Sequence, residues 1–376
     1  VRIVVVGGGI LGTTHAWSAL QRGHEVVHLE REPVARGASV RNFGLIWVSG
    51  RADGPELTTA LRARQLWERI GAAVPGVGFR AAGSLTVCRT DAELAVAKEA
   101  VDGPGAATRG FALLDPEQAR ARNPALRGEY AGALWCERDA VVEPRRATAA
   151  LRESLRATGR YTWLPGREVR SVTGGVVRDD RGDRHSGDAV VLTTGASLAG
   201  LVRDLVPALP VRRVRLQMAQ TAPLGEPLPT AVADGDSFRY YPAFTGPALG
   251  ALRDGQPQQP VAEAYQMQLL MVQRLDGGLT IGDTHAYDDA APDGFDFDLA
   301  EEPYEHLRAT AEALLGRPLP PVLRRWAGVY AQCLDPTAVV YRAEVADRVW
   351  LVTAPGGRGM TCAPALAEQT ADQIGW

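Results

Sequence analysis

The chain has 376 residues, 45% of them hydrophobic, which is enough to bury a large core and fits about two domains. Its net charge of −3 argues against nucleic acid as a main partner, because neutralising phosphates needs clustered Lys and Arg. Lys98 is the sole lysine, so Schiff-base chemistry has almost no candidate.

Cys88, Cys136, Cys333 and Cys362 form no C-x-x-C pair, which speaks against structural zinc and a dense disulfide framework and fits a reducing cytoplasm. No stretch is long and apolar enough to span a bilayer. The glycines of the apolar N-terminus are spaced for a turn rather than for signal-peptide cleavage.

Residues 1–30 carry the strongest signal. An apolar, β-branched strand over 2–6 meets Gly7, Gly9 and Gly12 at G-x-G-x-x-G spacing; a helix over 10–22 and a strand over 25–29 follow, and Glu30 closes the unit. The glycines serve a tight turn, close approach of backbone to a pyrophosphate, and close helix–strand packing. The helix N-terminus offers free N–H groups and a positive dipole end to phosphate, and Glu30 stands where a carboxylate accepts from ribose hydroxyls. The unit predicts a dinucleotide site.

A loop rich in Gly, Ser, Asn and Arg follows, in place of the helix a Rossmann domain often has there. Residues 57–70 predict an amphipathic helix and 83–88 a strand. Helices are expected over 91–101 and 117–122, the second opened by a cap at Asp115 and by Pro116. A helix over 147–158, a strand over 168–172, a hairpin near 179–182 and an apolar strand over 188–194 come next. Residues 221–260, rich in Pro and Gly, read as loops between short strands, and 266–273 and 279–284 as strands paired across Asp276-Gly277-Gly278. A helix over 304–315, a strand over 349–352 and a helix over 365–374 complete the chain. A nucleotide fold interrupted twice suits a flavin protein of two interleaved domains better than a nicotinamide dehydrogenase.

A second glycine loop, residues 354–361, precedes the last helix. It lets backbone approach a flat ligand, and the helix points its positive end there, as a reduced flavin needs. Pro364 is read as a first-turn residue whose missing N–H costs nothing. The acids of residues 288–305 lack calcium-loop spacing and read as a solvated approach to a helix N-terminus, with no metal.

G-G-G-I-L-G with Glu30, G-A-S-V-R-N-F-G, V-V-L-T-T-G-A and G-G-R-G-M-T together resemble the FAD-dependent amine oxidoreductases of the D-amino-acid, glycine and sarcosine oxidase type. R-N-F-G-L-I-W, R-A-R-Q-L-W, G-D-T-H-A-Y and P-G-G-R-G-M-T resemble a bacterial branch associated with phosphonate catabolism, whose proposed substrates are 2-aminoethylphosphonate-like amines. The resemblance implies an α/β chain: a Rossmann-like FAD-binding domain of the GR2 type (1–82, 140–212, 335–376) interleaved with a smaller α+β substrate domain on a mainly antiparallel sheet (83–139, 213–334). FAD, non-covalently held, would meet Gly7, Gly9, Ile10, Leu11, Gly12, Glu30 and Arg31 at the ADP end. Ala38, Ser39, Arg41, Asn42, Gly44 and Leu45 would follow its middle, with Val169, Thr194 and Gly195 on the nucleotide, and Gly357, Arg358, Gly359, Met360 and Thr361 on the isoalloxazine.

The implied reaction is oxidation of a small amine at its C–N bond, with O2 or another acceptor taking the electrons. The cofactor carries the hard step, so no side-chain base is assigned. Pocket candidates are Trp47, Tyr241, His285, Tyr330 and Arg358. His285 reads equally as a hydrogen-bonded histidine at a strand end, and Tyr240, Tyr241, Tyr265 and Tyr330 equally as core. Arg239, Arg342 and Arg358 are unranked partners for an anionic tail. His15, His24, His28, His185 and His306 read as structural. Where some relatives have a lysine near the flavin this chain has Thr280, and Cys333 is poorly spaced for covalent attachment. The open alternatives are oxidation of glycine, sarcosine or a D-amino acid, and a nucleotide-binding regulatory protein without turnover. Oligomeric state is not legible.

Overall fold

The structure, a computed structural model, describes residues 1–290 and 294–376. Two sheets organise it, and their strands alternate along the chain. The first is six-stranded, in the order Tyr341–Ala346, Val349–Thr353, Ala189–Leu192, Arg2–Val6, Glu25–Glu30 and Tyr161–Pro165. All neighbours are parallel except the edge pair Tyr341–Ala346 and Val349–Thr353. The runs are continuously apolar because both faces are covered. Ile3 and Val5 pack under Ile10–Gln21 and Gly359–Ile374, while Val4 and Val6 face Val169, Val177 and Val202 of a three-stranded ribbon and a short helix. This is a Rossmann-like α/β layer.

The second sheet has nine strands, in the order Ala286–Tyr287, Val211–Pro223, Gly278–Gly282, Leu270–Gln273, Ala231–Asp234, Ser84–Cys88, Gly132–Cys136 and Phe111–Leu114, with Val322–Cys333 also on Val211–Pro223. Every pairing is antiparallel except Ala231–Asp234 with Ser84–Cys88. The carboxyl ends of Arg2–Val6 and Ala189–Leu192 point towards this sheet's pocket-facing strands, and a large cavity lies between. An open α/β sheet holds its ligand at such a place, outside the strand ends where strand order reverses.

Several expectations change. Residues 221–260 hold three helices nearby, Ser237–Tyr240, Pro247–Gly255 and Pro260–Ala264; Pro247 and Pro260 start helices rather than break them, since a first-turn residue needs no N–H partner. The long strands Val211–Pro223 and Val322–Cys333 went unanticipated because paired arginines, 212–213 and 324–325, break the apolar alternation; they pair from Val211–Cys333 to Thr221–Val322. The strand expected over 266–273 begins only at Leu270, because Gln266 has φ 44°.

The last helix begins at Gly359, six residues before the expected start, so Pro364 is interior and not in the first turn. Its missing N–H leaves the Met360 carbonyl without an intrahelical donor. The Trp67 indole N–H, from the helix Pro55–Ala73, fills that vacancy at 2.9 Å. In the acidic stretch, Asp288 and Asp289 pair with Arg213 and Arg212; residues 291–293 of that stretch lie outside the described residues. No described helix is long and apolar enough to cross a membrane.

Candidate active site

A single cavity of about 1170 Å³ runs from the Gly7 turn to the second sheet. At its first end the glycines are sterically required. A Cβ on Gly7 (φ +109°) would stand 2.3 Å from the Thr193 carbonyl oxygen, and one on Gly12 would stand 1.8 Å from that of Gly7. The turn is braced by neutral His28, whose Nε2 lies 2.9 Å from the Gly7 carbonyl and whose Nδ1 lies 2.9 Å from the Tyr161 hydroxyl. Burial lowers the His28 pKa to about 3, so the ring stays neutral where it braces the turn.

Glu30 accepts the Gly8 N–H at 2.5 Å and the Glu32 N–H at 2.9 Å, one on each carboxylate oxygen. A carboxylate has about four acceptor positions, so it is fixed and still able to take ribose hydroxyls. The first helix opens with no side-chain cap from Gly9, and Ser39 Oγ accepts the Ile10 N–H at 2.8 Å. The Thr194 hydroxyl on the cavity wall is buried with no hydrogen-bond partner among the described residues. An orphaned buried hydroxyl costs free energy unless a ligand or water meets it. Glycine turn, fixed acid, helix terminus and orphan hydroxyl together fit the ADP half of FAD.

Midway, the Gly356–Arg358 turn leads into the last helix, whose N-terminus faces the cavity. Thr361 Oγ1 accepts the Trp47 N–H at 2.9 Å and donates to the Leu45 carbonyl at 3.2 Å, so one hydroxyl ties this helix to the segment opposite. Cys333 is buried and its thiol donates to the Ala354 carbonyl, while burial pushes the Cys362 thiol up to about 11; neither is an activated nucleophile.

The far end is charged and aromatic, and its charged side chains are buried. Glu56 sits between two arginines, with Oε1 3.5 Å from Arg51 Nη1 and Oε2 3.1 Å from Arg358 Nη1, and all three residues are no more than 7% exposed. Arg51 Nε also donates to the Trp47 carbonyl and Arg358 Nε to that of Pro355, which fixes both planes. Among the described residues Glu56 is the one carboxylate paired with either arginine, so the triad carries one surplus positive charge.

Opposite stands Asp283, whose backbone has φ +109°, a conformation that costs a non-glycine residue about 1–3 kcal/mol. Gln268 Nε2 donates to its Oδ2 at 2.7 Å, and burial pushes the carboxyl up to about 8, against the pull of Arg51. Two further non-glycine residues with positive φ, Gln266 and Ala354, flank the same site. His285 Nδ1 lies 2.8 Å from the Gln266 carbonyl, which can only accept, so Nδ1 carries the hydrogen. Burial lowers the His285 pKa to about 4, and its ring stacks on Tyr240 at 4.2 Å. Tyr240, Tyr241, Tyr287 and Tyr330 complete the wall, their hydroxyls held protonated chiefly by burial.

Of the residues singled out from sequence, the cavity wall includes Gly7, Gly9, Ile10, Leu11, Glu30 and Arg31. It also includes Ala38, Ser39, Arg41, Asn42, Leu45, Val169, Thr194 and Gly195, and residues 357–361. Trp47, Tyr241, His285, Tyr330 and Arg358 line its far part. Gly12 and Gly44 lie behind the wall: Gly12 packs on Gly7, and a Cβ on Gly44 would stand 2.1 Å from the Val142 carbonyl oxygen. Tyr265 points elsewhere, towards Glu302. Arg239 pairs with Asp236, and Arg342 donates to the Leu366 carbonyl, which leaves Arg358 as the one cavity arginine of those three. Thr280 is buried in the sheet and does not line the cavity. Arg51, Glu56 and Asp283 were missed. Glu56 lies one residue before the helix expected over 57–70, in the first turn that its proline start adds.

Comparison with known proteins agrees with this geometry. The chain is 27% identical to an opine oxidase component of Rhizobium meliloti, over 42% of the chain and 46% of that protein. It is 26% identical to glycine oxidase of Geobacillus kaustophilus, over 53% of the chain and 55% of that protein. It therefore spans about half the length of these curated relatives. Its fold matches the crystal structure of L-proline dehydrogenase from P. horikoshii with a TM-score of 0.78 at 23% identity, covering 99% of this chain and 92% of that one. The family model described as FAD dependent oxidoreductase matches residues 2–373, and the chain belongs to that family of FAD-binding flavoproteins.

Proposed function

We propose that the chain oxidises the C–N bond of a small amine carrying an anionic tail, giving an imine that hydrolyses to an aldehyde or keto product. The observation that carries this reading is the buried Arg51–Glu56–Arg358 triad, which brings an uncompensated cation to the cavity end remote from the ADP turn. Tail binding there orients the amine, with the second arginine fork holding the first through Glu56. The tyrosines exclude water, and His285, neutral over the ordinary pH range, adds no cation to repel an amine.

Bound flavin would accept two electrons from the substrate carbon; the chain holds it through residues 7–12, Glu30, Ser39, Thr194 and residues 357–361, without a covalent link. We assign the first sheet and its helices to cofactor binding and the second to the substrate, with the expected boundaries except that the strand Val211–Pro223 belongs whole to the second, and we read the enzyme as cytoplasmic because its four cysteines are buried and free.

The names of the curated relatives support an amino-acid-like substrate. A single surplus charge suits a carboxylate, while the motifs at residues 41–47, 62–67, 282–287 and 355–361 favour a phosphonate such as 2-aminoethylphosphonate or its N-methyl form. The test is anaerobic bleaching of the purified yellow protein by glycine, sarcosine, D-alanine, L-proline and the aminophosphonates. Bleaching by one of them is expected; a protein without flavin, or one bleached by none, sinks the reading. Peroxide release then separates oxidase from dehydrogenase.

A further inference from the structure

We propose that Asp283 is the residue that receives the substrate nitrogen and takes up its proton. The inference rests on the amine-oxidation reading above and deepens it by placing the second pole of the substrate.

Asp283 lines the same cavity as Arg358 and Tyr330 and is 5% exposed. Among the described residues no arginine or lysine is paired with it. Its Oδ2 is held by Gln268, its Oδ1 lies 3.7 Å from His285 Nε2, and Arg51 is the charged side chain whose field reaches it. The other titratable groups around it are Tyr240, Tyr241, Tyr287 and Tyr330. A buried carboxyl with one oxygen anchored and no counter-ion is placed to receive a cation from the cavity. The left-handed backbone is what aims it: the strand Gly278–Gly282 ends one residue earlier, and φ +109° turns Asp283 out of the sheet's alternation. A chain that keeps this conformation without glycine has it over-determined by its surroundings, as at ligand sites.

The step is a proton transfer. An ammonium N–H bond breaks, an Oδ–H bond forms on Asp283, and the electron pair of the broken bond stays on nitrogen, where it is available for C–N oxidation. Nothing is oxidised or reduced in this step. His285 is unsuited to the task, since Nδ1 already donates and burial opposes the imidazolium. The acceptor is the ionised carboxylate, which becomes available as pH rises through about 8; burial disfavours that charge, so the proton is then drawn from substrate to carboxyl. A substrate with both poles is then oriented by charge, nitrogen on Asp283 and tail on Arg51 and Arg358.

The test uses the FAD-loaded protein and glycine betaine, a permanent cation that has no N–H and cannot be oxidised in this way. Flavin absorbance reports binding. Between pH 6 and 9 the tyrosines stay protonated and His285 stays neutral, so Asp283 is the group that titrates. Betaine is expected to bind about tenfold more tightly at pH 9 than at pH 6. Asp283→Asn should keep its flavin and lose that dependence, and its bleaching by an oxidisable amine should shift towards the amine's own pKa. Betaine binding indifferent to pH in the unaltered protein overturns the proposal, even where the variant fails to fold. An unchanged profile in Asp283→Asn does the same. A protein bleached by no amine but showing the betaine profile overturns the oxidation reading while supporting Asp283 as the receptor for nitrogen.

Discussion

The two ends of the cavity are built by different means. At the ADP end, strand, turn, helix and acid come from thirty consecutive residues and work mainly through backbone: glycines without Cβ, free N–H groups, and one carboxylate fixed by two amides. At the substrate end, Arg51, Glu56, Asp283 and Arg358 come from distant parts of the chain and work through buried side-chain charge. The first end tolerates no added volume; the second tolerates no lost charge.

That contrast can be broken by experiment. The largest effect is expected from Gly12→Ala, whose methyl would meet the Gly7 carbonyl oxygen at 1.8 Å: the purified protein should carry no flavin after gel filtration. Retention of stoichiometric FAD would show that the turn yields. Next comes Glu56→Ala, which adds no volume but leaves two buried guanidinium groups together. Removing one partner of a buried ion pair costs about 3–5 kcal/mol, to be read from denaturant unfolding. A loss below about 1 kcal/mol would place the triad in a wetter setting than its burial indicates.

The same contrast explains what could be read in advance. Residues 7–30 were legible because every part of the motif is local and each glycine has one steric reason. The 3.6-residue pattern of the helix Pro55–Ala73 was legible too, though its proline start was not. The triad was not legible, since nothing in the string R-A-D-G-P-E says that Arg358 returns beside it. Asp283 was hidden for another reason: an acid after an apolar strand normally marks a solvent-facing turn, and its burial is decided by the tyrosines around it. The full length of the last helix was hidden because its glycines and Pro364 argue locally against helix, whereas Trp67 meets the carbonyl that the proline leaves free.

Two smaller effects sharpen the comparison. Glu30→Ala removes an acceptor that serves Gly8, Glu32 and, by our assignment, the ribose. Bonds to a charged group contribute about 1.5–3 kcal/mol, so FAD affinity should fall by roughly ten- to a hundredfold in a titration of apoprotein. Unchanged affinity would show that the carboxylate serves the loop alone. The smallest effect concerns His285, whose pKa falls from 6.5 unfolded to about 4 folded. The unfolded chain then binds the extra proton between these values, so the stability due to neutral His285 is complete above pH 6.5 and is lost as pH falls towards 4. Against the parent slope, which His15 and His28 share, His285→Asn should be shallower by up to about 1.4 kcal/mol per pH unit. Parallel slopes would place His285 in contact with water.

The last helix also fixes when the site can come into being. Thr14 donates to the Ala363 carbonyl, His15 meets Thr370, and Thr361 secures Trp47, so the first helix and one cavity wall both lean on residues made more than 300 positions later. A nascent chain displays its nucleotide turn early, but the groove around that turn has no second side until residues 359–374 leave the ribosome. Capture of the cofactor therefore waits for residues 359–374, and until they emerge the unit of residues 1–30 keeps its apolar helix face uncovered.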